Sequence, residues 1–166
     1  LEKKPHIFEN LKANLLITEI KDLSRNETEN HFLEGTGSMV LDRENRIAYA
    51  SLSPRTDKII LEEFCSMAGY TPCSFTSADN SGNAIYHTNV MMCVADKFAV
   101  ICLDSIRNEN ERLMITGNIT GSGKEIISIS LEQMNAFAGN MLQVKNSKDE
   151  LLLVMSSQAF DSLNKT

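Results

Sequence analysis

Two residues occupy matched places in a repeating sequence plan, and both carry side chains suited to proton chemistry. Glu34 precedes the run Gly35-Thr36-Gly37-Ser38-Met39-Val40-Leu41-Asp42. His87 precedes Thr88-Asn89-Val90-Met91-Met92-Cys93-Val94, 53 residues further on (87 − 34). A carboxylate and an imidazole facing one another across a pseudo-symmetry axis can hold a cationic or polar substrate and shuttle protons. Gly35 and Gly37 flank Thr36 and let backbone approach a ligand closely. Taken singly, a glutamate among glycines is usually a solvated loop residue, and a histidine before an apolar strand is usually a capped or core one. The matched positions are what raise this pair above those readings. Asp42 and Arg55 fit a ligand role and a turn or helix-start role equally well.

The elements that must position the pair form a repeat of about 50 residues. Gly37–Asp42 reads as a short apolar strand, Arg43–Arg46 as a turn and Ile47–Ser51 as a second strand. The plan returns at Asn89–Val94, Asp96-Lys97 and Phe98–Leu103, and again at Asn140–Val144, Lys145–Glu150 and Leu151–Met155. Ser53, Ser105 and Ser157 close each hairpin and precede a helix-like segment. In the first, Ser53 reads as N-cap, Pro54 as the first helical residue, and Gly69 as the stop after Ile60, Leu61, Phe64, Cys65 and Ala68. The second helix reads as Asn108–Thr116, and the third, after Ser157, is cut off after Phe160 and Leu163. A further strand follows each of the first two, at Cys73–Ser77 and Ile126–Leu131, and Leu15–Ile20 would be the same element of a preceding unit. Lys21–Asn30 reads as a surface loop. A unit of strand, turn, strand, helix and strand is too small to close its own core and must pack on neighbours. The expected fold class is therefore α/β, built from ββαβ repeats. Met39, Met91, Met92 and Met141 read as core filling.

Composition excludes several classes. With 42% apolar and 23% charged residues the 166-residue chain can pack a core, so it is not a disordered chain. A net charge of −6 without a basic block argues against nucleic acid or an anionic membrane as partner. No apolar run reaches the length of a membrane span, and no secretion signal is visible. Cys65, Cys73, Cys93 and Cys102 lie in apolar stretches without a C-x-x-C pair, the pattern of reduced, buried thiols in a cytoplasmic protein. The sequons at Asn26, Asn118 and Asn164 then read as chance matches. Gly117–Lys124 departs from a P-loop in its glycine spacing and in Glu125. His6, His31 and His87 lack metal-ligand spacing, and no G-x-S-x-G elbow occurs, so neither metal nor cofactor is expected. The start at Leu1 and the stop at Asn164-Lys165-Thr166 suggest a fragment.

The runs Phe32–Asp42 and Tyr86–Met92, with Tyr49-Ala50, Ser53-Pro54-Arg55-Thr56 and Gln133 through Phe137-Ala138-Gly139-Asn140, resemble the amidinotransferase/arginine-deiminase pentein superfamily. Within it they are most similar to the citrulline-utilisation hydrolase group. The resemblance covers about Leu15 to Leu163. It implies a five-bladed α/β propeller around a central funnel, with about three of five ββαβ units in this chain, so that residues 1–166 are part of a single catalytic domain truncated at both ends. It implies a small guanidino or ureido substrate, arginine-like or citrulline-like, whose carbon a cysteine thiolate attacks. His87 matches the family's catalytic histidine and Glu34 its carboxylate. Asn89, Gly35 and Gly37 fall in the matching substrate-binding stretches. Arginine deiminases place an aspartate where this chain has Asn89. Their nucleophile lies in a G-G-S-x-R-C stretch that none of the four cysteines matches, and their first strand unit, with its substrate loop, has no counterpart here. The competing expectation is a non-catalytic pentein binding module, and a homo-oligomer stays open.

Overall fold

The computed structural model describes residues 5–163. The sequon at Asn164 and both chain ends lie outside them. The described chain begins with a helix that the sequence reading did not anticipate, α1 (Pro5–Asn14). Leu15–Ile20, expected as a strand, forms no regular element, and Leu16 is 96% exposed. Among the described residues no strand pairs with this stretch, and a lone strand without partners is not stable. Lys21–Asn30 is largely exposed, with a 3₁₀ helix at Ser24–Glu29.

The first unit holds α2 (Gly35–Ser38), β1 (Val40–Asp42), β2 (Ile47–Ser51), α3 (Lys58–Ala68) and β3 (Thr71–Phe75). The sequence placed a strand from Gly37. Instead Gly35 opens a single helical turn at φ +51°, and the strand begins only at Val40. The second unit repeats the plan with α4 (Thr88–Met91), β4 (Met92–Val94), β5 (Phe98–Ile101), α5 (Glu109–Gly121) and β6 (Glu125–Ser128). Asn89 therefore belongs to a helical turn as well, not to a strand. The third has α6 (Leu131–Asn135), β7 (Leu142–Lys145), β8 (Leu151–Val154) and α7 (Ser157–Ser162). Helix α6 was not foreseen. It is fixed by a reciprocal capping box between Ser130 and Gln133.

The first two sheets share one topology. In each, a short antiparallel hairpin is extended by a parallel third strand, in the orders β1-β2-β3 and β4-β5-β6, while β7-β8 is a two-stranded hairpin. Val40 pairs with Tyr49 and Met92 with Ile101 across the hairpins, and Tyr49 with Cys73 and Val100 with Ile127 across the parallel ladders. The stretches Gly37–Ser51 and Asn89–Leu103 thus lie in separate sheets, not in one flat parallel sheet. The architecture is mixed α/β.

Alternation along β2 explains the packing. Ala48 and Ala50 face Leu61 and Cys65 of α3, whereas Tyr49, with Cys73 and Phe75 of β3, faces the second unit and its α5 residues Ile115 and Ile119. The small alanines let α3 approach closely, and the aromatic residues fill the seam between units. All four methionines noted in the sequence serve this packing. Met91 and Met92 are fully buried, Met39 is 8% exposed, and Met141 packs against the larger cluster.

Helix α3 starts four residues later than expected. Its N-cap is Asp57, whose carboxylate accepts the N–H groups of Ile59 and Ile60, and Gly69 ends it in the left-handed region at φ +70°. Ser53 to Thr56 instead close a tight turn by mutual backbone bonds. Asp57 N–H donates to Phe32 O at 2.7 Å, so the segment runs antiparallel to Phe32-Leu33. An ionised cap already seated by His31 Nδ1 at 2.9 Å outcompetes the serine. Helix α5 is capped by Asn108 and runs past Thr116 to Gly121, so the glycine-rich stretch before Lys124 is the end of a helix rather than a phosphate loop. Helix α7 is capped by Ser156 rather than beginning beyond Ser157.

Lys124 is 5% exposed and joins the first two units. Its Nζ donates to Asp96 O at 2.8 Å and lies 3.7 Å from both buried Asp42 and exposed Glu44. Asp42 also accepts the backbone and side-chain N–H groups of Asn45, which makes it a buried turn residue of β1–β2. Removing one partner of such a buried pair leaves an uncompensated charge, at a cost of about 3–5 kcal/mol.

Candidate active site

Glu34 and His87 are each the residue just before a one-turn helix, α2 and α4 respectively. Both helices precede the first strand of a unit, so the repeat carries both residues to the same level of the molecule. Their side chains meet: His87 Nε2 and Glu34 Oε2 are 2.8 Å apart, with 33% and 31% of each side chain exposed. That partial exposure leaves the pair open to a solute while removing much of the competing water.

Gly37 makes the approach possible. A Cβ at this position would stand 3.0 Å from His87 Cδ2 and 3.2 Å from Nε2, so the ring lies flat against bare backbone. Gly35 has a different task, because its left-handed φ lets α2 begin directly after Glu34. Glu34 N–H donates to Ser38 Oγ at 2.8 Å, which closes the turn.

The third member of the site is Arg55, for which the sequence left two roles open. The late start of α3 leaves it in the loop, where Nη1 donates to Glu34 Oε2 at 3.4 Å. Its guanidinium also lies 5.8 Å from the centre of the Tyr86 ring, next to His87 in sequence. Reading Asp57 rather than Ser53 as the cap, from the apolar Ile59-Ile60 two and three residues after it, is the signal that would have placed Arg55 here. The bond from His87 holds the Glu34 carboxyl below its ordinary value. Partial burial opposes this, and the charge and bond of Arg55 add to it.

Asn89 does not touch the pair. It is half-buried, its carbonyl accepts from Asn140 Nδ2 at 3.1 Å, and it lines a cavity of about 720 Å³ with Gly35, Thr36, Met39, Met92 and Met141. Neither Glu34 nor His87 forms part of that wall. The four cysteines are free and buried, and burial pushes every one of their thiols up. Among the described residues no three His, Cys, Asp or Glu side chains gather as a metal site. No helix among them is long and apolar enough to cross a membrane.

The model of the family of eukaryotic N,N dimethylarginine dimethylhydrolases matches residues 1–166. The chain belongs to that family. It is a pentein family, as the motifs around Glu34 and His87 indicated. Solved structures agree at the level of the fold. The chain superposes on ArgZ, an arginine dihydrolase from the ornithine-ammonia cycle in Cyanobacteria, with a TM-score of 0.60 and 16% identity, covering 87% of this chain and 22% of that one. On AgrE in complex with ornithine and NAD+ the TM-score is 0.62 at 18% identity, covering 87% of this chain and 21% of the other. The N-terminal domain of ArgZ bound to product gives 0.59 at 17% identity over 82% of this chain and 45% of that one. The chain thus spans about a fifth of the length of those two longer structures. No curated protein matches it.

Proposed function

We propose that this chain supplies the carboxylate–imidazole pair of a hydrolase that cleaves a guanidino C–N bond of an arginine-like substrate, N,N-dimethylarginine being the form that the family's name indicates. The observation that carries the reading is the 2.8 Å contact between Glu34 and His87 at matched positions of two units.

Glu34 orients the imidazole through Nε2 and stabilises its charged form as it takes up a proton. Arg55 holds a fixed positive charge beside the pair, suited to the carboxylate of an amino-acid substrate. In the covalent route a thiolate adds to the guanidino carbon, and the departing amine takes a proton from His87. Water then displaces the sulfur after giving a proton back to His87, leaving a ureido product and the free thiolate. From N,N-dimethylarginine the products are dimethylamine and citrulline. The buried thiols of Cys65, Cys73, Cys93 and Cys102, pushed away from ionisation, are unsuited to that attack, so in this reading the nucleophile is none of them. The strand order shared by the first two sheets supports a pentein propeller as the full catalytic domain, with Gly35 and Asn89 lining its central space and a cytoplasmic setting for the free thiols.

The test is product analysis in the complete enzyme, with N,N-dimethylarginine, arginine and citrulline as substrates. Dimethylamine or ammonia should appear from the guanidino compounds. Binding of all three without turnover would support the binding-module alternative instead.

A further inference from the structure

Beneath the Glu34–His87 pair lies a series of hydroxyl groups. Thr88, the residue after His87, is fully buried. Its Oγ1 accepts Ser51 N–H at 2.8 Å and donates to the carbonyl of Ser38 at 2.6 Å. Ser38, also fully buried, accepts Glu34 N–H with its Oγ and donates that hydroxyl to Arg55 O at 2.7 Å. Ser51 Oγ in turn lies 2.6 Å from Ser77 Oγ. One connected path therefore runs from the backbone next to His87 to the backbone of both Glu34 and Arg55.

We propose that Thr88 is a positioning residue whose hydroxyl sets the distance between the Glu34 carboxylate and the His87 imidazole. The proposal rests on the reading above that this pair performs the chemistry, and it extends the site to a side chain too deep to touch a substrate.

Helices Gly35–Ser38 and Thr88–Met91 have four residues each, too few to hold their own geometry. What fixes them must come from outside. On one side Asn140 and the bare backbone of Gly139, where a Cβ would stand 2.7 Å from Met91 C, brace the helix that follows His87. Those contacts belong to the third unit and carry no information about Glu34. Thr88 Oγ1 is the buried side-chain link from this helix to the unit that holds Glu34, beside an exposed one in which Ser53 Oγ donates to Tyr86 O at 2.9 Å. Its hydrogen is committed to Ser38 O and a lone pair to Ser51 N–H, so the hydroxyl rotor has one orientation and the link has a fixed length. Valine has nearly the same shape but leaves that carbonyl and that N–H unpaired in a dry place, where the backbone must shift to find partners.

The test follows the Glu34 carboxyl by ¹³C NMR pH titration in the protein and in its Thr88→Ser, Thr88→Val and His87→Ala forms. The groups facing this carboxylate are the titratable imidazole of His87 and the guanidinium of Arg55. The parent midpoint should lie below the ordinary glutamate value, Thr88→Ser should stay with the parent, and Thr88→Val should move up to the His87→Ala midpoint. A folded Thr88→Val protein that titrates like the parent would overturn the proposal, as would Thr88→Ser titrating like His87→Ala. If Thr88→Val does not fold, Thr88→Cys decides. Its weakly bonding thiol should move the midpoint upward by a smaller amount, and an unmoved midpoint counts against the proposal. Because no turnover is read, the outcome is separate from that of the substrate assays. Loss of the catalytic reading would leave a Thr88-dependent contact in place, and a Thr88-independent contact would leave catalysis by the pair intact.

Discussion

Gly37 lies so close to His87 that a side chain at position 37 would press on the imidazole ring. A Cβ there would fall 3.0 Å from Cδ2 and 3.2 Å from Cγ of the imidazole. Such a contact is tight enough that the ring, rather than the backbone of α2, has to give. Gly37→Ala should therefore tilt His87 away from Glu34 and lower kcat of the complete enzyme by roughly 10-fold or more, since misplacement by an ångström can cost about 10². Stability should change little. Parent-like kcat in Gly37→Ala would show that the ring position is not critical.

The Asp57 cap links stability to pH. Burial pushes its carboxyl up, but the bonds from His31, Ile59 N–H and Ile60 N–H prevail and hold it below the ordinary 3.8. A depressed folded value means that the unfolded chain protonates first. The stabilisation is complete above about pH 4 and is lost as the pH falls through the lower, folded value. Glu34, also depressed from 4.5, adds a contribution of the same sign. Asp57→Ala should cost about 1 kcal/mol at pH 6, the usual worth of an N-cap. In urea unfolding the gap to the parent should narrow below pH 4, and a gap that widened there would refute the assignment.

The four cysteines should resist alkylation in the native protein. Burial raises each thiol, and in Cys102 the nearby Asp104 charge adds to the effect, so thiolate is scarce at neutral pH. Mass spectrometry after brief iodoacetamide treatment should show unmodified chain, and four labels after denaturation. Selective native labelling of Cys93 or Cys102 would contradict this and reopen the question of the nucleophile.

Much of the fold was legible because apolar runs and turns recur. Strand β2 spans the Ile47–Ser51 expected, β8 lies within Leu151–Met155, and the hairpins fall where the polar turns do. Helices α2 and α4 were not legible. Four residues make little more than one turn, too few for a periodicity to show, and Gly37–Asp42 reads as one apolar stretch although only Val40–Asp42 pairs in the sheet. The Ser53-Pro54 start of α3 was a sound local reading that tertiary context overrode, because Phe32 O and His31 fix Asp57 as the cap. Within the site, Glu34 and His87 came from their matched repeat positions and from the family resemblance. Arg55 depended on that displaced cap, and Thr88 on a contact between units that no local pattern encodes. Asn89, placed with the substrate-binding residues by resemblance, lines the cavity but stands apart from the pair.

The most direct measurement of the central claim is turnover of N,N-dimethylarginine by the complete enzyme carrying His87→Ala, beside the parent and Glu34→Gln. If the pair does the proton chemistry, His87→Ala should lower kcat by a factor on the order of 10² to 10⁴, the usual size of a general acid–base contribution. Glu34→Gln keeps the shape but loses the charge that orients the ring and faces the cationic substrate, so it should weaken substrate capture as well. Unchanged turnover in His87→Ala would contradict the account and place the active site elsewhere in the molecule.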